Sequence, residues 1–168
     1  NVMAEWVHGR WGELKGAMEF RRPGARVRVN IPGEFEAYTF SCWARIDSLD
    51  RQYNALFLAD SYQTGEPHWQ IRHDGQLMFG VMIDDQVPRP NDDRKGLNKN
   101  YFSPKMWDLS MSGQWLHLAS TFDPEALEVR HYVNGRQISR HTINESDVPK
   151  ILKIGNAEIG NWGQPNRK

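Results

Sequence analysis

Ten consecutive positions, 37 to 46 (AYTFSCWARI), alternate between two faces. Tyr38, Phe40, Cys42, Ala44 and Ile46 share one; Thr39, Ser41, Trp43 and Arg45 share the other. A period of two marks a half-buried strand, because successive side chains leave opposite sides of a sheet. Shorter β-prone runs occupy Ala17 to Phe20 and Arg26 to Val29, separated by Pro23-Gly24, and Ala55 to Ala59 is a compact apolar run. Pro32-Gly33 reads as a further turn. Two hairpins are signalled by dipeptides that tolerate positive φ in a two-residue type I′ turn: Asp74-Gly75 within HWQIRHDGQLMFGVMI and Asn134-Gly135 within LEVRHYVNGRQISRHTI. Trp115 to Phe122, Ile151 to Ile154 and Ala157 to Ile159 are the remaining strand patterns. No stretch of ten or more residues combines helical period, caps and composition. Short strands at regular spacing with turn chemistry between them predict an all-β sandwich or barrel.

Residues 84–113 interrupt this rhythm. They hold three prolines and show no strand pattern, which predicts a long inserted loop, with Tyr101, Phe102, Met106 and Trp107 packing its second half against the body. The length, 168 residues, suits a single domain, 1–168, that can bury a core without disulfide staples. The one cysteine, Cys42, lies in the apolar stripe and reads as a small buried hydrophobe. Lys plus Arg equals Asp plus Glu at 21 each, with no basic block, which argues against nucleic-acid binding and against a polybasic membrane anchor. No apolar run reaches the roughly 18 residues of a membrane helix, so no direct membrane insertion is expected. The chain begins at Asn1, without an initiator methionine, and is expected to be part of a larger multidomain protein.

Five segments, in order, carry a resemblance: KGAMEF (Lys15 to Phe20), YTFSCWARI (Tyr38 to Ile46), SGQWLHLASTFD (Ser112 to Asp123), HYVNGRQI (His131 to Ile138) and LKIGN (Leu152 to Asn156). From about Trp6 to Trp162 the chain resembles laminin-G-like domains of the concanavalin A superfamily, in the flavour of bacterial copies appended to FecR-type envelope regulators or surface enzymes. The resemblance implies a two-sheet antiparallel jelly-roll sandwich, an extracytoplasmic setting and a non-catalytic binding role. It also implies a strand before Trp6 and an acidic strand at the end, neither of which this sequence shows, so the first and last strands are expected to be missing.

Trp43 and Trp115 sit within strands and are expected to plug the core between sheets, with contact to a ligand as the competing reading. His117 reads as a structural or surface histidine, and Gly75 and Gly135 as turn glycines. Superfamily glycosidases set acids at E-x-D-x-x-E spacing on one strand face, and none occurs here; no enzyme is expected. Laminin-G-like domains also hold calcium at the rim, which points to Asp60, Glu66 and Asp147 as candidate Ca2+ ligands, Glu66 standing where an Asp is usual. A glycan or surface protein ligand is the expected partner. Sugar recognition needs flat rings beside amides and carboxylates. Two clusters offer that mix: Asn91, Asp92, Asn100, Tyr101 and Trp107 in the long loop, and Asn161, Trp162 and Gln164 in the tail, with Trp69 able to join either. The competing reading of Trp107 and Trp162 is that they cover the sandwich edge, and the competing function is a protein-interaction or structural sensor module.

Overall fold

A computed structural model describes residues 3–89 and 92–160, with residues 92–94 described through their backbone alone. Among them run β1 (Glu5–Val7), β2 (Ala17–Glu19), β3 (Val27–Phe35), β4 (Tyr38–Arg45), β5 (Tyr53–Ala59), β6 (Pro67–Arg72), β7 (Gln76–Arg89), β8 (Asp92–Lys105), β9 (Trp115–Asp123), β10 (Glu128–Val133), β11 (Arg136–Thr142) and β12 (Leu152–Ile159). They form a four-stranded sheet, β11-β10-β9-β4, and a six-stranded sheet, β3-β12-β5-β6-β7-β8, with β1-β2 as a separate ribbon. All pairings are antiparallel, as the sandwich requires.

The core lies where the inner faces of the two sheets meet. Tyr38, Leu118, Phe122 and Val129 come from the smaller sheet, and Phe57, Trp69, Leu77, Phe79 and Val81 from the larger. Aromatic rings dominate: Phe79 stacks on Phe122 at 5.4 Å between centroids, and Phe40 lies 4.8 Å from Phe57. A polar thread crosses this apolar layer. Trp69 Nε1 donates to Ser120 Oγ (2.8 Å), Ser120 Oγ donates to His131 Nδ1 (2.8 Å), and His131 Nε2 donates to the Tyr101 carbonyl (3.1 Å). Every member finds a partner, so the polar atoms are not left unsatisfied in a low-dielectric interior. Burial, with a smaller push from His141, lowers the His131 imidazole to about 4, consistent with the neutral ring this geometry needs. Cys42 packs against the core, where burial pushes its thiol up to about 11.

Four expectations are corrected. Residues 84–113 are mostly not a loop. Their first two-thirds extend β7 and build β8, whose register slips four times, at Gln76/Met78, Met82/Asp84, Asp84/Pro88 and Pro88/Arg89. Those bulges blur the period of two that betrays a strand, and Pro88 is tolerated among them. Pro32-Gly33 lies inside β3, an edge strand, where Glu34 pairs with Lys153 and Ile31 with Gly155, so both residues bulge out of register. The two hairpin dipeptides diverge. Asn134 and Gly135 both have positive φ (51° and 79°), as a type I′ turn demands. At Asp74-Gly75 only Gly75 is left-handed, and its N–H bonds the Arg72 carbonyl (2.9 Å) in a three-residue connection. A Cβ at Gly75 would stand 2.0 Å from the Trp107 carbonyl oxygen, so close packing as well as φ reserves that position for glycine. The fourth correction concerns the tryptophans and shapes the site.

Candidate ligand-binding site

Strands β4 and β9 pair so that Trp43 faces His117 and Arg45 faces Trp115. Opposed residues project from the same side of a sheet. Here that side is the outer one, because the alternate positions Cys42, Ala44, Leu116 and Leu118 contact the core. Trp43 is accordingly 40% exposed and Trp115 half-buried, and neither is a core plug. Opposite His117 on its other flank sits the turn residue Asn134. Its N–H donates to the His117 carbonyl (2.7 Å), and its Oδ1 accepts the His117 N–H (2.9 Å). The type I′ turn thus docks onto β9 and leaves Asn134 Nδ2 as a fixed outward donor.

A segment before β2 completes the site. The Arg10 guanidinium lies 3.4 Å from the centre of the Trp43 ring and 5.2 Å from that of Trp11, and the Arg45 guanidinium lies 5.8 Å from the centre of Trp115. Trp43 and His117 stack obliquely, with ring centres 5.1 Å apart. Between them opens a shallow pocket of about 380 Å³ lined by Arg10, Trp43, Trp115, His117, Asn134 and Gly135. That volume falls at the lower end of the range typical of small-ligand sites, roughly 300–1,000 Å³. Its chemistry is two indoles, an imidazole, a guanidinium and an amide, and among the described residues no carboxylate lines it.

The residues expected to bind lie elsewhere. Trp69 (3% exposed), Tyr101 (9%) and Trp107 (4%) belong to the core and present no ring face to a ligand. For Trp107 the competing reading, a tryptophan that covers the body, fits the structure. Asn100 is exposed on the outer face of the larger sheet, where it pairs with Gly80 and reaches over it. Asp92 begins β8, but its side chain, together with Asn91, Asn161, Trp162 and Gln164, lies outside the described residues. The calcium candidates do not assemble. Asp147 Oδ2 is held by Lys99 Nζ (3.0 Å) and Asn144 Nδ2 (3.1 Å). Glu66 is buried and accepts the Gln63 N–H (2.7 Å), and burial raises both its carboxyl and that of Asp60. Among the described residues no three acidic, histidine or cysteine side chains converge to hold a metal. The binding scheme below uses no metal ion.

Sequence reading offers no sign of Arg10, gives His117 and Asn134 no part in binding, and favours the inner side for Trp43 and Trp115, which lie on the outer one. A signal existed for Trp43: its period placed it with Thr39, Ser41 and Arg45, on the polar face.

Comparison with known proteins bears on the fold. The solved structures similar to this chain include the binding domain of botulinum neurotoxin DC in complex with rat synaptotagmin II (15% identity over 84% of this chain, TM-score 0.56). The same binding domain in complex with SialylT is similar at 13% identity over 80% of the chain (TM-score 0.53). A third is the Ruminococcus gnavus IT-sialidase CBM40 bound to α2,3 sialyllactose, at 14% identity over 80% of this chain and 68% of the other (TM-score 0.51). The chain spans about a third of the toxin structures (33% and 32%). No curated protein matches it in sequence. A laminin G family model, described as concanavalin A-like lectin/glucanases superfamily, matches residues 25–166. With its two antiparallel sheets and that match over most of its length, the chain belongs to the concanavalin A-like lectin/glucanases superfamily.

Proposed function

We propose that the domain is a non-catalytic binding module that recognises carbohydrate, or another cell-surface or extracellular ligand, through the pocket at Trp43 and Trp115. The observation that carries this reading is the placement of both indoles on the solvent side of the sheet, beside Asn134, which one backbone and one side-chain hydrogen bond hold to β9. Burying an indole is favourable, so two neighbouring strands that each turn one outward leave apolar area that a ligand ring would cover. The absence of a carboxylate from the lining removes the acid and the nucleophile of glycoside hydrolysis, which favours binding over catalysis. The similar structures supply a parallel, since two of them are described with sialyllactose and SialylT. The setting this reading supports is extracytoplasmic, in a larger protein such as an envelope regulator or surface enzyme. Among the described residues no helix is long and apolar enough to cross a membrane.

A protein partner is the second reading, favoured by Trp6 (57% exposed), Trp11 (77%) and Leu14 (80%) in the N-terminal segment. Synaptotagmin in the toxin complex is a parallel for it. Retention of the purified domain on a panel of immobilised polysaccharides separates the two. Retention lost in Trp115→Ala and kept in Trp11→Ala is the expected outcome; a folded domain retained on no polysaccharide moves the assignment to the protein partner.

A further inference from the structure

Several arginines elsewhere on the surface are paired with carboxylates. Arg26 and Arg28 pair with Glu158 (2.7 and 3.2 Å), Arg72 pairs with Asp74 (2.9 Å), and Arg130 and Arg140 pair with Glu128. Arg10 and Arg45 have no carboxylate partner among the described residues, and their contacts are with tryptophan rings. Arg10 lines the pocket and Arg45 flanks it across Trp115; among the described residues neither has an ion-pair partner, and a ligand that brings a negative charge completes them.

Geometry makes the first of them competent. A guanidinium stacked over an indole uses its faces for the stack and keeps its N–H donors in the plane, pointing outward. Those donors match the two oxygens of a carboxylate or sulfate. The stack also fixes the side chain before a ligand arrives, which reduces the ordering cost of binding. Around this cation lie the other Trp115 and Asn134 groups that suit a sugar ring: an apolar platform and an outward amide donor. An acidic peptide would satisfy the charge but would leave platform and amide without purpose.

We infer that the pocket binds an anionic saccharide unit, one bearing a carboxylate or a sulfate, with Arg10 and Arg45 as its charge partners, Trp115 as its platform and Asn134 Nδ2 as a donor to a hydroxyl. This rests on the binding reading above and narrows it. Arg10 precedes residue 25, where the matched family segment begins.

The test is equilibrium binding of the intact domain to four probes: polygalacturonate for the carboxylate, heparin for the sulfate, dextran as a neutral polysaccharide, and polyglutamate as charge without sugar. The expected result is binding to polygalacturonate or heparin, with dextran and polyglutamate at least roughly tenfold weaker. Arg10→Gln and Arg45→Gln should each lose roughly tenfold, while Arg140→Gln, on the same face but paired with Glu128, should lose little. Melting curves that match wild type confirm that the variants fold. Dextran bound as well as the anionic chains, with Arg10→Gln silent, overturns the anionic assignment and leaves a neutral-glycan site. Polyglutamate bound as well as polygalacturonate overturns the saccharide assignment. A folded domain that binds none of the four overturns both this inference and the glycan reading beneath it.

Discussion

The outer face of the four-stranded sheet has two ends, and they handle arginine in opposite ways. At one, Arg130 and Arg140 converge on Glu128, which is 7% exposed, beside Thr39, Thr121 and Tyr132. At the other, Arg10 lies on Trp43 and Arg45 flanks Trp115, and among the described residues neither pairs with an acid. A buried carboxylate is costly unless it is paired and hydrogen-bonded, so the first arrangement solves a folding problem and leaves nothing over for a ligand. The second leaves both charge and apolar area unsatisfied by the fold. Side chains of the same kind on one sheet face are structural where the chain supplies the counter-charge, and available for recognition where it does not.

The ground beneath both ends is shared, and acid should disturb it most. His131 projects inward from β10 between Arg130 and Tyr132 and is fully buried. Its folded pKa is about 4, below the roughly 6.5 of an unfolded histidine. Between those values the unfolded chain binds the extra proton, so the contribution is complete above about pH 6.5 and lost as pH falls to about 4. The full shift corresponds to about 3 kcal/mol. The buried carboxyls of Asp60 and Glu66, raised by desolvation, act in the opposite direction, so the measurement is a difference against His131→Gln, which keeps hydrogen-bonding groups but does not titrate there. Urea denaturation at pH 7 and pH 4 should show wild type losing about 2–3 kcal/mol more than the variant. Equal losses would remove His131 as the acid-sensitive element.

The next effect separates the ends. Trp43→Ala and Trp115→Ala should weaken polysaccharide binding by roughly tenfold to a hundredfold, as truncated aromatic anchors do, while Thr121→Ala at the far end should change it little. Both Trp variants should stay folded, because neither indole is in the core. Loss of binding in Thr121→Ala alone would exchange the roles of the ends.

A third prediction erases the contrast. Glu128→Gln removes the charge that holds Arg130 and Arg140, and the far end should then gain affinity for polygalacturonate, roughly severalfold, that survives Trp43→Ala. No gain in the double variant would show that free guanidinium alone does not make an anion site on this face. The smallest expected effect is from metal removal: with Asp147 tied to Lys99 and Asn144, and none of the calcium candidates in the pocket lining, chelator should leave binding at the pocket unchanged, and loss with chelator, restored by calcium, would contradict that.

The sequence disclosed the framework more completely than the site. Strand positions were legible wherever the period of two ran unbroken, as in Tyr38 to Ile46 and Trp115 to Phe122. They were illegible in β7 and β8, where repeated bulges and Pro88 disrupt the alternation. The site was misread for another reason. Large aromatics were assumed to be inside, so Trp43 and Trp115 were placed in the core against the evidence of their own alternation, while Trp69, Tyr101 and Trp107 were offered to a ligand. Exposure is decided by which face a strand buries, and residue type is a weak guide to that. Arg10 was beyond reach, since only the fold brings it to Trp43, 33 positions along the chain.

The measurement that bears most directly on the central claim is a titration observed at the indole N–H resonances of the seven tryptophans, assigned by single substitution, as oligogalacturonate is added to the domain. The Trp43 and Trp115 signals should shift in a saturable manner, while those of Trp69 and Trp107 stay in place. Saturable shifts confined to other resonances, with Trp43 and Trp115 unmoved, would place the binding surface elsewhere and contradict the assignment.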